Sequence, residues 1–252
     1  MAITSTNPTP ISSATKTTIV SNKKASSHEL SWEDRLERIL SQDRDTLNFS
    51  QYTPSNEHIV RMKMLAQQAP ELYDNPEITP RSQWFHHPRY AQNSQMPPFH
   101  VHFRLEMQEV LENLLKAYSV ASALVHNSAS NLQTKAIERA FRIFYTSMNG
   151  LNGHVSIEEY SCFPMYQDLF PHVELQFFYD DHTALKQLEN TVMSSLNALL
   201  ERGHHGEPLA TAEEILNCLI QVMDFDDELM AHLGEEEEIL VPMSLTDKDV
   251  CY

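Results

Sequence analysis

Glycine and cysteine are both scarce in this chain of 252 residues. There are only five glycines, four of them in two close pairs, so the sequence has no glycine-rich loop that could cradle a phosphate group. The three cysteines, Cys162, Cys218 and Cys251, are far apart and include no Cys-x2-Cys pair. These absences argue against nucleotide binding, a disulfide framework and a structural zinc knuckle, and they favour a reducing compartment such as the cytoplasm.

Basic residues are also few, with 18 lysines and arginines against 35 aspartates and glutamates. The formal net charge of −17 disfavours binding to nucleic acid and to anionic membrane surfaces, but it attracts small cations. The sequence lacks the run of roughly 18 or more apolar residues that a membrane-spanning helix requires. We therefore expect no nucleic-acid partner and no membrane span.

The N-terminal part of the chain differs in composition from the rest. Residues 1–28 are rich in serine and threonine, contain no acidic residue and lack the apolar centre of a secretory signal. We interpret them as a disordered tail, with an organelle transit peptide as the alternative. Residues 29–96 form an extension in which patterns typical of short amphipathic helices cover 31–44 and 55–69. Six prolines between residues 70 and 98 then predict an irregular connector.

Four long helical stretches follow this connector, separated by short breaks of serine, asparagine, proline or glycine. Their approximate bounds are 99–126, 132–163, 171–202 and 211–241. Strand-like alternation of apolar and polar residues does not compete with this interpretation. The sequence therefore predicts an all-α fold, an up-down-up-down four-helix bundle over residues 97–243, with a C-terminal tail at residues 244–252.

One motif occurs twice, in the second and fourth of these stretches. The two copies are His154-x3-Glu158-Glu159-x4-Pro164 and, 78 residues later, His232-x3-Glu236-Glu237-x4-Pro242. Because residues four apart lie on the same face of a helix, each histidine and the glutamate four residues later can reach one metal ion together. We expect the proline ten residues after each histidine to end its helix.

The first and third stretches each place one histidine, His100 or His182, in an apolar stripe. Burying four histidines and two carboxylates would cost several kcal/mol for each ion unless the groups are paired or bind a metal. In the first stretch His102 competes with His100, which we prefer because Phe103 shares its face, whereas Glu106 shares the face of His102. The predicted ligands are His100, His154, Glu158, His182, His232 and Glu236.

Imidazole nitrogens and carboxylate oxygens suit iron, manganese or zinc. A carboxylate from each copy of the motif can bridge two ions, so a dinuclear centre is expected. The following glutamates, Glu159 and Glu237, point about 100° further round their helices, and we expect them to support the ligands or to lie at the surface.

The arrangement resembles the hemerythrin-like (HHE cation-binding) domain over roughly residues 97–243. The resemblance rests on four segments: PPFHVHFRLEM, HVSIEEYSCFP, FYDDHTALKQLE and AHLGEEEEILVP. It implies a four-helix bundle that holds two iron ions in a non-haem centre, with the six predicted residues as ligands and dioxygen or peroxide as reacting partner. Oxygen carriers of this family have a second histidine in the third helix, but the corresponding positions here are Phe178 and Lys186. The missing ligand leaves a coordination position open.

The leading hypothesis is a di-iron protein that binds or senses iron and oxygen with little or no catalysis. A di-iron oxidase or peroxidase is the alternative, because an open coordination position favours reactivity. A ferritin-like oxidase would need two Glu-x2-His motifs, and the only clear one, Glu201-x2-His204, contains Gly203 in a turn. A metal-free helical interaction module is a third possibility. The sequence predicts no particular protein partner.

Overall fold

The computed structural model describes residues 30–42, 56–74, 84, 86–90, 96–123, 129–204 and 209–246. Every regular element within these ranges is a helix, which confirms the predicted all-α class for this part of the chain. The predicted tail at residues 1–28, most of the proline-rich connector and the C-terminal residues from 247 onwards lie outside the described residues. None of the described helices combines the length and the apolar character that crossing a membrane requires.

In the part of the chain that the structure describes, three short α-helices precede the long ones. Helix α1 is Trp32–Leu40, α2 is Asn56–Gln68 and α3 is Pro70–Tyr73. The Ser31 side chain caps α1 by accepting a hydrogen bond from the Asp34 backbone N–H, as its sequence suggests. Helix α3 was not predicted, although a proline is well tolerated in the first turn of a helix, where its missing N–H has no partner to lose. Helix α1 packs against the first long helix, and α3 packs against the last.

The four long helices are α4, Met96–Ser122; α5, Ala129–Ile157; α7, Gln176–His204; and α8, Ala212–Ser244. Helix α4 packs against α5 and α8, and α7 packs against the same two helices. Their bounds differ from the predicted ones by several residues, most at the end of α5, which the sequence placed at residue 163. Helix α8 begins with a capping box, in which Thr211 and Glu214 satisfy each other's backbone N–H groups.

The first copy of the repeated motif has an unusual backbone. The segment Glu158–Cys162 is a π-helical turn that joins α5 to a further helix, α6, Phe163–Leu169. The expectation that Pro164 ends its helix is therefore wrong. The Phe163 N–H donates to the Glu158 carbonyl, five residues back, and this wider turn accommodates the missing N–H of Pro164. In the second copy, Pro242 lies inside α8, two residues before that helix ends at Ser244.

The apolar core consists of two main clusters with a polar layer between them. The larger cluster is formed by all four long helices and includes Phe103, Leu151, Leu185 and Leu229. The smaller one joins α2, α3 and α6 to the ends of α4, α7 and α8. Along α4, along α5 and the π-helical turn, along α7 and along α8, the predicted ligands lie between residues of the larger cluster and residues of the smaller one. The fold thus surrounds these polar side chains with apolar packing on both sides.

Candidate metal centre

The structure brings all six predicted ligands together. Helix α4 supplies His100, α5 supplies His154, the π-helical turn supplies Glu158, α7 supplies His182, and α8 supplies His232 and Glu236. All six side chains are buried, and they form two groups whose ligand atoms are close enough together to hold a metal ion. His102 lies outside the cluster, because its side chain is 65% exposed and pairs with Glu106.

The four histidines form two pairs. We call His100 and His154 the α4–α5 pair, and His182 and His232 the α7–α8 pair. The Nε2 atoms are 3.0 Å apart in the α4–α5 pair and 3.1 Å apart in the α7–α8 pair. Two nitrogens that bind one ion at about 2.1 Å and at right angles are separated by about 3 Å. Each pair therefore has the spacing of two ligands of a single metal ion.

The two carboxylates lie between the histidine pairs. Glu158 Oε1 is 3.0 Å from His154 Nε2, and Glu158 Oε2 is 3.6 Å from His182 Nε2. Similarly, Glu236 Oε2 is 3.6 Å from His100 Nε2, and Glu236 Oε1 is 3.2 Å from His232 Nε2. Each carboxylate thus presents one oxygen to each pair, which is the arrangement that bridging two ions requires.

The same carboxylates also have an unsatisfied requirement that a metal ion would meet. Glu158 and Glu236 are fully buried, and among the described residues no hydrogen bond reaches any of their four side-chain oxygens. Burying a carboxylate without such partners costs several kcal/mol. Because cations satisfy carboxylates and neutral imidazoles at the same time, the residues present fit a metal centre.

The next carboxylate along each motif fixes the orientation of a histidine on another helix. Glu159 Oε1 is 2.9 Å from His182 Nδ1, and Glu237 Oε1 is 2.9 Å from His100 Nδ1. An ionised carboxylate can only accept, so in both cases Nδ1 carries the proton and donates it. The Nε2 lone pair is then free to bind a metal. Glu159 and Glu237 therefore take the supporting role that their position on the helix suggested.

Three charged residues near the centre were not assigned a role there from the sequence. Arg104 donates to Glu237 Oε1 at 2.7 Å. Asp181 Oδ2 lies 3.9 Å from His232 Nδ1, which is too long for a hydrogen bond but close enough for electrostatic attraction. Arg61 of α2 donates to both Asp181 and Glu235. Of the three, only Arg104 had a local signal, since it follows His100 by four residues on the same helix.

His58 also lies beside the centre, although no partner at ligand spacing in the sequence pointed to it. It is buried between Glu238 Oε2, at 2.6 Å from its Nε2, and Glu235 Oε1, at 3.4 Å from its Nδ1. Burial alone would lower the pKa of His58, but the two glutamates outweigh it and raise the pKa to about 9. This contact joins α2 to α8, so the extension acts as a cap on that side of the centre.

Without a metal, His154 and His232 have pKa values shifted in opposite directions. Burial lowers the pKa of His154 to about 4. Burial also opposes protonation of His232, but Glu236 and Asp181 outweigh it and raise its pKa to about 10. Burial and the neighbouring Glu236 carboxylate raise the pKa of Glu158 to about 8. Burial disfavours the charged form of Glu236 as well, yet its attraction to His232 holds its pKa well below the usual range.

A cleft of about 430 Å³ between α5 and α7 reaches the edge of the centre, where Glu159 and His182 line it. Lys186 lies in this cleft and binds Asn152 and Glu189. Phe178, the other position four residues from His182, is buried with its ring centroid 5.9 Å from that of His232. The α7–α8 pair therefore gains no third histidine from α7.

Comparison of the chain with protein-family models, with curated proteins and with solved structures finds no match. The chemistry of the centre therefore has to carry the functional assignment.

Proposed function

We propose that this chain is a hemerythrin-like di-iron protein that binds or senses iron and oxygen, with its four long helices in an up-down-up-down bundle. The observation that carries the proposal is the position of Glu158 and Glu236, each with one oxygen directed to each histidine pair. A single-ion site would need only one pair and one carboxylate. Two histidine pairs, joined by two shared carboxylates, favour two ions.

The donor set supports iron but does not select it alone. One group offers the imidazole nitrogens of the α4–α5 pair with oxygens of Glu158 and Glu236, and the other offers those of the α7–α8 pair with an oxygen of Glu236, and these donors also suit manganese or zinc. Neither group includes a thiolate, so metals that prefer soft ligands are disfavoured. Iron bound in this centre would exchange electrons with dioxygen or peroxide.

The protein's own residues have three tasks in this proposal. The histidines and the two shared glutamates hold the ions. Glu159 and Glu237 keep a proton on Nδ1 of His182 and His100, so that both rings present Nε2. The two apolar clusters on either side of the polar layer keep bulk water away, which strengthens every electrostatic interaction in the centre.

The test is the iron content of protein that is loaded anaerobically with ferrous iron and then desalted. The proposal predicts about two irons per chain, as expected for a two-metal site. Glu158→Ala and Glu236→Ala should each lose this iron because each removes ligands from both ions. Glu189→Ala is the matched control, since Glu189 is also a buried glutamate but lies outside the cluster. Retention of no iron by the unaltered protein would contradict the proposal.

The cleft between α5 and α7 favours a second candidate, a di-iron oxidase or peroxidase. It gives a small molecule a path to His182 and Glu159, which a centre used only for structure does not need. The test is peroxide consumption by iron-loaded protein, compared with the same amount of free iron and with Glu158→Ala. Turnover that Glu158→Ala abolishes would support the enzyme, and turnover no faster than free iron would exclude it.

A further inference from the structure

The two histidine pairs have similar inner ligands. Both contain two facing Nε2 atoms, and each has an oxygen of Glu158 and an oxygen of Glu236 near one of its histidines, with Glu158 nearer to the α4–α5 pair. A clearer difference between the two metal positions lies in the groups behind these ligands. Carboxylates in such positions commonly alter metal affinity by about 10–100-fold.

The surroundings of the α7–α8 pair are acidic. Glu159 accepts from His182 Nδ1, and within the described part of the chain no arginine or lysine pairs with it. Asp181 faces His232 Nδ1 from 3.9 Å. Both histidines of this pair therefore have a carboxylate behind them, although Arg61 offsets part of the charge of Asp181.

The surroundings of the α4–α5 pair are less acidic. Glu237 accepts from His100 Nδ1, but the same oxygen also accepts from Arg104, which compensates its charge. His154 faces aromatic rings, with the centroid of Phe99 5.0 Å away and that of Phe103 5.9 Å away. Phe99 precedes His100 just as Asp181 precedes His182, so a phenyl ring occupies the position that holds a carboxylate in the other pair.

This difference bears directly on metal affinity. A carboxylate behind an imidazole makes the ring a stronger donor and stabilises the positive charge of the ion that it binds. The same carboxylate also attracts a proton, but a divalent ion has twice the charge and benefits more. We infer that the α7–α8 pair binds the first metal ion, and that the α4–α5 pair binds the second ion more weakly and releases it first. This inference rests on the proposed function.

The first experiment is an anaerobic titration of metal-free protein with ferrous iron against a competing chelator, which yields separate affinities for the first and second ions. His182→Ala should weaken binding of the first ion by more than tenfold. His100→Ala should leave the affinity for the first ion within about threefold and abolish binding of the second. Equal effects of the two substitutions, or the reverse order, would overturn the inference.

A second set of variants leaves the inner ligands in place. Asp181→Asn should weaken binding of the first ion by about tenfold. Asp180→Asn is the matched control because it removes the same charge from an exposed neighbour. Phe99→Asp should strengthen binding of the second ion by about tenfold, since it supplies the carboxylate that this pair lacks. Residue 99 is 47% exposed and therefore tolerates a charge. No change in either variant would overturn the inference.

Failure of the inference can be distinguished from failure of the proposed function. Two ions bound with equal affinity, unaffected by Asp181→Asn and Phe99→Asp, would leave the di-iron centre intact and remove only the order of binding. If the unaltered protein binds no iron, both the function and the order are wrong.

Discussion

The two copies of the His-x3-Glu-Glu motif share their residues but not their surroundings. In both, the histidine Nε2 lies close to the glutamate four residues later, at 3.0 Å for His154 and Glu158 and at 3.2 Å for His232 and Glu236. The first copy enters a π-helical turn, whereas the second stays in regular α-helix. His154 faces phenyl rings and has a pKa of about 4, whereas His232 faces carboxylates and has a pKa of about 10. The motif thus determines the contact between each histidine and its glutamate, and the packing of the helices determines the charge of the histidine.

The largest difference between the copies should appear when each histidine is removed from metal-free protein. His232→Ala should lower the free energy of unfolding by about 3–5 kcal/mol because it leaves the ionised Glu236 carboxylate buried without its positive partner. His154→Ala removes a neutral ring, and we expect it to lower the free energy of unfolding by about 2 kcal/mol through lost packing. Urea unfolding at neutral pH measures both. Equal losses would show that the two histidines do not differ in charge.

The two arginines near the centre should differ in the same way. Arg104→Met should destabilise the protein by about 2–3 kcal/mol because Glu237, which is fully buried, loses its charged donor. Arg61→Met should cost about 1 kcal/mol, since Asp181 remains partly exposed to water and the buried Glu235 keeps His58 as a partner. Arg139→Met, which breaks an exposed pair with Glu109, is the control and should change little. A larger loss in Arg61→Met than in Arg104→Met would reverse this comparison.

Metal binding should also displace a proton from the histidine of one copy and not from the histidine of the other. At pH 7 the metal-free His232 is protonated, since its pKa is about 10, and it must lose that proton to bind a metal. His154, with a pKa of about 4, has none to lose. For each proton released, the free energy of metal binding becomes more favourable by about 1.4 kcal/mol for every unit by which the pH rises below that pKa. The ring-nitrogen NMR shifts of labelled histidines, before and after loading with zinc as a diamagnetic probe, identify the proton donor. A neutral His232 in the metal-free protein would contradict the assignment.

The smallest effect concerns His58, which contacts two glutamates of the α8 copy, Glu235 and Glu238. Its pKa is about 9 in the folded protein and 6.5 without these contacts. The stabilisation by protonated His58 is therefore fully present below pH 6.5 and is lost as the pH rises towards 9. We expect the stability difference between the unaltered protein and His58→Gln to be about 1 kcal/mol at low pH and to shrink across this window. Thermal unfolding from pH 6 to 9 measures it, and a constant difference would show that His58 is not charged.

The sequence could predict the parts of this molecule that depend on short spacings. The all-α class followed from helical periodicity, and His154 with Glu158, like His232 with Glu236, is a contact between residues four apart. The neighbours of His58 could not be predicted, because Glu238 is 180 residues away in the chain. The π-helical turn was also missed. A proline normally predicts a helix end, and no local sequence pattern predicts a change from hydrogen bonds between residues four apart to hydrogen bonds between residues five apart.

Asp181 shows why the charge of the centre was harder to predict than its inner residues. It precedes His182 in the sequence, but it faces His232 of another helix, so its effect depends on how α7 and α8 pack. The same holds for Glu159 and Glu237, each of which orients a histidine on a different helix. Position on one helix indicates which residues point inward, but not which partner they meet.

X-ray absorption at the iron edge of protein loaded anaerobically with two irons per chain tests the central claim most directly. If Glu158 and Glu236 join the two histidine pairs, each iron should have a second iron within about 4 Å, together with scattering from imidazole rings. In Glu158→Ala or Glu236→Ala protein this iron–iron signal should disappear. Isolated irons in the unaltered protein, without a second iron nearby, would contradict the account.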